Sequence, residues 1–222
     1  MIEPILLIAG SFLLGALPLA YLATRHITGL DIREHGSGNA GATNVIEHVG
    51  LRTGIIIGTF DFFAKGTLPV VIAKLLDLSL GIQVAAGLVA VLGHNWSPFM
   101  RFTGGRGVAT AMGVCIGFGL WQEALVLGLV IGVIGRLIFR DTGFWTLIAM
   151  ITLPVLTAVF DRPSEVIAMA IAIVIILVAK RLIANGEAPA SSHPLLQVLT
   201  YRLLWDRDVS HRTSWTRRAP NG

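Results

Sequence analysis

The chain has 222 residues, 54% of them apolar and only 14% charged, with a formal net charge of +4. A mean hydropathy of +0.76 excludes an ordinary water-soluble globule, because so few charged groups cannot cover its surface. A single cysteine, Cys115, excludes an internal disulfide, and its apolar neighbours predict that it packs as a small hydrophobe.

Met1-Ile2-Glu3-Pro4 lacks the basic leader of a cleavable signal, so the first apolar stretch is read as a retained membrane span. Seven apolar segments follow in chain order: Ile5–Ala23, Thr53–Leu75, Leu80–His94, Val108–Leu120, Glu123–Ile138, Phe144–Phe160 and Ser164–Leu182. A helical span needs about 20 apolar residues. The third and fourth segments are shorter, so irregular backbone between them is expected to reach into the membrane, where protein or water must satisfy it. Pro69, close to Lys65 and Gly66, is expected to interrupt the second segment because it lacks an amide donor. Asp61 and Lys65, four residues apart, predict an ion pair on one face of that segment. Four-residue spacing at Gly54/Gly58, Gly113/Gly117 and Gly128/Gly132 predicts close helix packing. The fold class is thus an all-α integral membrane protein with about seven transmembrane helices.

Two glycine-rich strings lie between these segments and are too polar for lipid. The first is Gly36-Ser37-Gly38-Asn39-Ala40-Gly41-Ala42-Thr43-Asn44. The second runs from Gly93-His94-Asn95-Trp96-Ser97-Pro98-Phe99 to Gly104-Gly105-Arg106-Gly107-Val108-Ala109-Thr110. Glycines let successive amides converge on phosphate or carboxylate oxygens, and a guanidinium among them adds a bidentate grip. Two readings remain open for Ser37 and Asn44, which either bind substrate or cap a turn or the following helix. His94 either faces a ligand or bonds a carbonyl at its helix end. The short likeness between Gly38–Thr43 and Gly105–Thr110 does not establish a repeat.

Placing the N-terminus outside puts all 17 lysines and arginines except Lys65, Lys74 and Arg162 on the cytoplasmic side. This asymmetry predicts an N-out, C-in topology and brings both glycine-rich loops to the cytoplasmic face. It also accounts for a sequence pI near 9.8 without nucleic-acid binding.

At Gly36-Ser37-Gly38-Asn39-x-Gly41-Ala42-Thr43-Asn44-Val45, at Gly93-His94-Asn95 and at Phe102-x-Gly104-Gly105-Arg106-Gly107-Val108-Ala109-Thr110, the chain resembles the bacterial acyl-phosphate:glycerol-3-phosphate acyltransferases of the PlsY type. The resemblance extends over about residues 4 to 187. It implies transfer of a fatty acyl group from acyl phosphate to the 1-hydroxyl of glycerol 3-phosphate, giving lysophosphatidic acid, with no metal, cofactor or covalent acyl intermediate. It further implies a multi-pass protein of the bacterial cytoplasmic membrane, acting at the cytoplasmic surface among membrane lipids. Acyl phosphate is already activated, so such a site has mainly to align its substrates and stabilise developing charge. On this reading Ser37 and Arg106 take part in catalysis. Gly36, Gly38, Asn39, Thr43, Asn44 and Arg52 hold substrate from the first loop and its surroundings. His94, Asn95, Gly104, Gly105, Gly107 and Thr110 hold it from the second, and Arg140, Thr142 and Arg181 from later segments.

The chain departs from the family pattern at several points. Arg106 stands where the family has lysine, and Glu47 where it has arginine, with Arg52 nearby to compensate. Thr142 matches a family serine after a shift of one residue, and Ile175 and Val178 occupy two polar positions of the last span. These departures keep open a second reading, a member that binds acyl phosphate or a lipid headgroup without turnover. A small anion transporter is the third, which the gathering of charge on one face opposes.

Residues 1–187 are read as the membrane domain and 188–222 as a basic tail. Ala188–Pro194 reads as a loop. Leu195, Leu199 and Leu203, with Val198, Tyr201 and Trp205, then line a short interfacial helix. Arg207, Arg212, Arg217 and Arg218, with Trp205 and Trp215, are expected to hold a disordered end against anionic lipid, each basic residue adding about 1 kcal/mol.

Overall fold

The computed structural model describes residues 2–185 and 194–209. Expectations for residues 186–193, and for Arg212, Trp215, Arg217 and Arg218, lie outside the described residues.

The architecture is all-α. Helices α1 (Ile2–Ala16) and α2 (Leu19–Thr28) form one apolar run that bends at Leu17-Pro18. After a one-turn helix at Ile32–Glu34 come α3 (Ala42–His48), α4 (Leu51–Leu75), α5 (Leu80–Asn95) and α6 (Val108–Gly117). Helices α7 (Trp121–Ile138), α8 (Thr142–Val159), α9 (Ser164–Ile183) and α10 (Leu195–Trp205) complete the order. Five of these runs are long and apolar enough to cross a bilayer: Ile2–Thr28, Leu51–Leu75, Trp121–Ile138, Thr142–Val159 and Ser164–Ile183. The short apolar helices α5 and α6 flank the irregular segment that the sequence placed between the third and fourth spans.

Pro69 does not interrupt α4. Over Asp61–Thr67 the helix widens to π geometry, and Pro69 sits in the first turn of regular α-helix beyond it. A proline lacks an amide donor and crowds the carbonyl one turn back, and the wider turn relieves both demands. Thr67 Oγ1 donates to Phe62 O at 3.2 Å and to Gly113 O at 2.9 Å, tying the π segment to α6.

Close approach at glycines fixes how the helices pack. A methyl at Gly15 would overlap Ala90 O, and one at Gly93 would overlap Phe12 O, so α1 and α5 touch backbone to backbone. Gly66 against Thr110 O and Gly113 against Phe62 O do the same for α4 and α6. Gly54 lies against α3. Gly128 and Gly132 behave differently from the expectation, because Gly128 meets only the tip of Met112 at 3.9 Å and Gly132 has no neighbour within 4 Å. Their part of α7 faces outward, so the four-residue spacing there marks no tight crossing.

The core joins α4, α5, α6, α8 and α9 through Val70, Val91, Val114, Cys115, Met150, Leu153, Met169 and Ile173. Cys115 is fully buried, as its apolar neighbours predicted. A second apolar cluster, including Ala20, Ile32, Val45, Ile57 and Met100, supports the two glycine-rich loops at one end of the bundle. Large apolar side chains cover the outside. Ile55, Ile56, Leu125, Val155 and Ile171 are exposed, as a surface in contact with lipid requires.

Candidate functional site

The first loop is built by a short turn and one buried amide. Asp31 caps the turn at Ile32–Glu34 by accepting from Arg33 N at 3.0 Å, and its carboxylate also pairs with the Arg33 guanidinium. That side-chain bond from Arg33 holds the Asp31 carboxyl below the ordinary carboxylate range. Gly36 and Gly38 then take positive φ of 55° and 68°, and the chain enters α3. Asn44, at the base of α3, donates Nδ2 to Ile32 O, His35 O and Asn39 O at 3.0–3.1 Å. Its buried amide nitrogen thus holds the loop, which is the turn-holding reading of Asn44.

The second loop folds on itself. Ser97 N donates to Thr103 O at 3.0 Å, and Ser97 Oγ donates to Ala16 O at 2.6 Å, anchoring the loop to α1. Gly104, Gly105 and Gly107 lie flush against the end of α5. A methyl at Gly104 would overlap His94 O, one at Gly105 would overlap His94 Nε2, and one at Gly107 would overlap Asn95 Oδ1. The Gly105 amide donates to His94 O at 3.1 Å, and the Gly104 amide to Asn185 Oδ1 at 3.3 Å. These two amides are therefore occupied by the protein itself, and the picture of an open amide cup at Gly104 and Gly105 is corrected: close packing on α5 is what requires glycine here.

The two loops meet. Ala40 N donates to Gly104 O at 3.4 Å, and Asn185, just past α9, clasps both. Its Nδ2 donates to Gly38 O at 3.1 Å, Asn39 Oδ1 at 3.0 Å and Gly104 O at 2.7 Å, while its Oδ1 accepts from Lys180 Nζ at 2.7 Å. Lys180 is fully buried and sits over the Trp96 ring. Beside this clasp lies Arg106, whose Nη1 donates to Lys180 O at 2.8 Å and whose Nε pairs with Asp206 Oδ1 at 2.8 Å. The Asn39 carboxamide stands between Asn185 and Arg106; turned the other way, its oxygen accepts from Arg106 Nε at 3.0 Å and Nη2 at 3.2 Å.

A cavity of about 620 Å³ opens at this junction. Of the residues selected from the sequence, Ser37, Asn39, Thr43, Asn44, His94, Arg106, Gly107, Thr142 and Arg181 line it. Gly36, Gly38, Asn95, Gly104, Gly105 and Thr110 do not; they form the backing of the two loops. Arg52 and Arg140 lie on exposed positions away from the lining. Glu47, by contrast, is on the cavity wall. Arg181 lines the cavity with its guanidinium committed to Leu203 O at 3.0 Å and Gly143 O at 2.9 Å. Ile175 points outward, 62% exposed, so that position does not bear on the cavity.

The lining also carries apolar side chains, Ile46, Phe62, Met112 and Ile131. To one side is a buried charged group in the bundle. Lys65 Nζ lies 2.9 Å from Asp61 Oδ1 and donates to Leu17 O at 2.8 Å, and His94 Nδ1 stands 3.6 Å from the same carboxylate. The predicted Asp61–Lys65 pair is thus present, and His94 faces it rather than a backbone carbonyl.

The sequence reading missed Lys180, Asn185 and the contribution of α10. Trp205, Asp206 and Arg207 line the cavity beside Asp141, although the sequence placed them on an interfacial tail. A polar Lys/Asn pair at the end of a long apolar helix was the available signal for the first two; no local signal marks Asp206.

Fold and cavity together define an integral membrane helical bundle with a charged, glycine-backed site whose cavity also has apolar walls. A model of the glycerol-3-phosphate acyltransferases matches residues 5–186. Glycerol-3-phosphate acyltransferase 5 of Dehalococcoides mccartyi is 35% identical over 220 residues, covering 96% of this chain and 92% of that protein. The glycerol-3-phosphate acyltransferase of Geotalea daltonii is 39% identical over 180 residues, covering 81% and 91%. Crystal structures of PlsY (YgiH), an integral membrane glycerol 3-phosphate acyltransferase, superpose with a TM-score of 0.74 in the glycerol 3-phosphate form and 0.72 in the lysophosphatidic acid form. Identity to the first is 32%, over 81% of this chain and 88% of that one. The chain belongs to the glycerol-3-phosphate acyltransferase family.

Proposed function

We propose that this protein transfers a fatty acyl group from acyl phosphate to the 1-hydroxyl of glycerol 3-phosphate, releasing lysophosphatidic acid and phosphate. The observation that carries this reading is the position of Arg106 at the meeting point of both loops, on a cavity lined by both polar and apolar side chains. Both phosphorylated substrates need cationic, hydrogen-bonding groups, and an acyl chain needs apolar walls. The glycerol 3-phosphate and lysophosphatidic acid forms of the solved relative support the acceptor and the product.

In this reaction the hydroxyl oxygen attacks the acyl carbonyl, the carbon–oxygen bond to phosphate breaks, and the hydroxyl proton leaves with the phosphate. Arg106 holds phosphate charge, with Asn39 and Asn185 fixing its place. Ser37 and Thr43, on the same cavity, orient the second substrate. An activated donor needs alignment and charge stabilisation more than a nucleophilic side chain. The one-sided charge supports a site at the inner leaflet of a bacterial cytoplasmic membrane and a membrane unit over residues 1–187.

Glu47 on the cavity wall favours a second reading, binding of the same anions without turnover. The two separate when purified protein is given glycerol 3-phosphate with acyl phosphate or with an acyl thioester. The proposal expects lysophosphatidic acid from acyl phosphate alone. Product from the thioester alone would reassign the donor, and ligand-induced stabilisation without product would select the second reading.

A further inference from the structure

We propose that the segment following α10 is a substrate-displaced latch, in which the Asp206 carboxylate occupies the Arg106 guanidinium until a phosphate takes its place. The inference rests on the reading of Arg106 as a phosphate ligand. It concerns a part of the chain beyond residue 186, where the match to the family model ends.

Asp206 is brought to the cavity by a helix that is anchored elsewhere. Arg202 of α10 donates to Leu182 O at 2.9 Å and Ile183 O at 3.3 Å and pairs with Asp208, so the helix is fixed to the end of α9. Arg181 donates to Leu203 O, and the Trp205 carbonyl lies so close to Gly143 that a methyl there would overlap it. Arg207 pairs with Asp141 at 3.4 Å. Helix α10 then ends in a left-handed turn at Asp206, φ 57°, which aims this side chain back at the loops. Aspartate tolerates this conformation better than most residues.

The contact itself is built to be exchanged. Asp206 Oδ1 lies 2.8 Å from Arg106 Nε, yet among the described residues it has no hydrogen-bond partner of good alignment. Charge alone holds it. Both side chains keep partial access to solvent, 12% for Arg106 and 20% for Asp206. A carboxylate and a phosphate oxygen seek the same guanidinium donors, so one can replace the other without leaving Arg106 uncompensated. Because α10 is held by Arg202, Arg181 and Arg207, rotation of the Asp206 side chain is enough to free Arg106, and the helix can stay in place. In the unloaded site the carboxylate lowers the affinity for phosphorylated ligands and keeps Arg106 oriented.

The test uses the full-length protein in detergent and reads Kd for glycerol 3-phosphate, with inorganic phosphate as a second probe. Asp206→Asn is expected to bind glycerol 3-phosphate roughly fivefold more tightly, and Asp206→Glu to stay near the wild-type value. In the transfer assay the Asn variant is expected to show a lower KM for glycerol 3-phosphate. An unchanged or weaker Kd for a folded Asp206→Asn overturns the latch. Arg106→Ala separates the two failures: if it still binds the ligand like wild type, the reading of the site has failed and the latch with it. If it loses binding while Asp206→Asn matches wild type, only the latch has failed.

Discussion

Asn185 Nδ2 donates to Gly104 O at 2.7 Å and, through the same nitrogen, to Gly38 O at 3.1 Å, so one side chain past the end of α9 joins the two glycine-rich loops. Its oxygen takes the Lys180 ammonium and the Gly104 amide. The cavity mouth therefore depends on a residue that belongs to neither loop. Asn185→Ala is expected to lower stability by about 2 kcal/mol, since several carbonyls lose their donor together. Turnover should fall with it, because Asn39 and Arg106 lose their support. Thermal unfolding and the transfer assay on the same preparation check this; an Ala variant with unchanged activity would remove Asn185 from the site.

The Asp61–Lys65 pair is nearly sealed from solvent, with side chains 4% and 5% exposed. Removing Lys65 takes the ammonium from a carboxylate sealed inside the bundle, which then keeps His94 at 3.6 Å as its neighbour. Lys65→Met is expected to cost about 3–5 kcal/mol, whereas the double change Asp61→Asn with Lys65→Met should recover most of it. The comparison is made by thermal unfolding of wild type and the two variants in detergent.

Two glycines with similar sequence surroundings should respond in opposite ways. Gly113→Ala drives a methyl into the Phe62 carbonyl, a backbone atom of a packed helix, and is expected to cost about 2 kcal/mol or more. Gly132→Ala meets no atom within 4 Å and should raise stability by about 0.5–1 kcal/mol, because alanine loses less freedom on folding. Equal effects at the two sites would contradict the packing described.

The Asp31–Arg33 pair gives a pH dependence. The folded carboxyl titrates below its ordinary value of 3.8, so its stabilisation is present above that value and is lost as pH falls through the lowered one. Asp31→Asn should flatten the acid limb of a stability profile measured from about pH 5 downward, leaving higher pH little affected apart from a uniform loss.

The sequence made the membrane class and the apolar helices legible, because length and hydropathy act locally. Arg106, Ser37, Asn39 and Thr43 were legible for the same reason, as they sit in dense polar strings between apolar ones. Gly104 and Gly105 were found but misread. Glycine required by a neighbouring backbone and glycine required to present amides look alike along a chain, and only the contact with His94 separates them. Pro69 was misread because a single sequence does not register a π turn. Asn185 and Asp206 were missed because their partners Gly38, Gly104 and Arg106 lie far away along the chain, and no spacing rule reaches across such distances.

The account depends on Arg106 gripping substrate phosphate where the two loops meet. The most direct measurement is lysophosphatidic acid formation from acyl phosphate and glycerol 3-phosphate by wild-type and Arg106→Ala protein, both shown to be folded. Product from wild type and a loss of about 10²-fold or more in the variant is the expected result. Equal rates from the two proteins would contradict it.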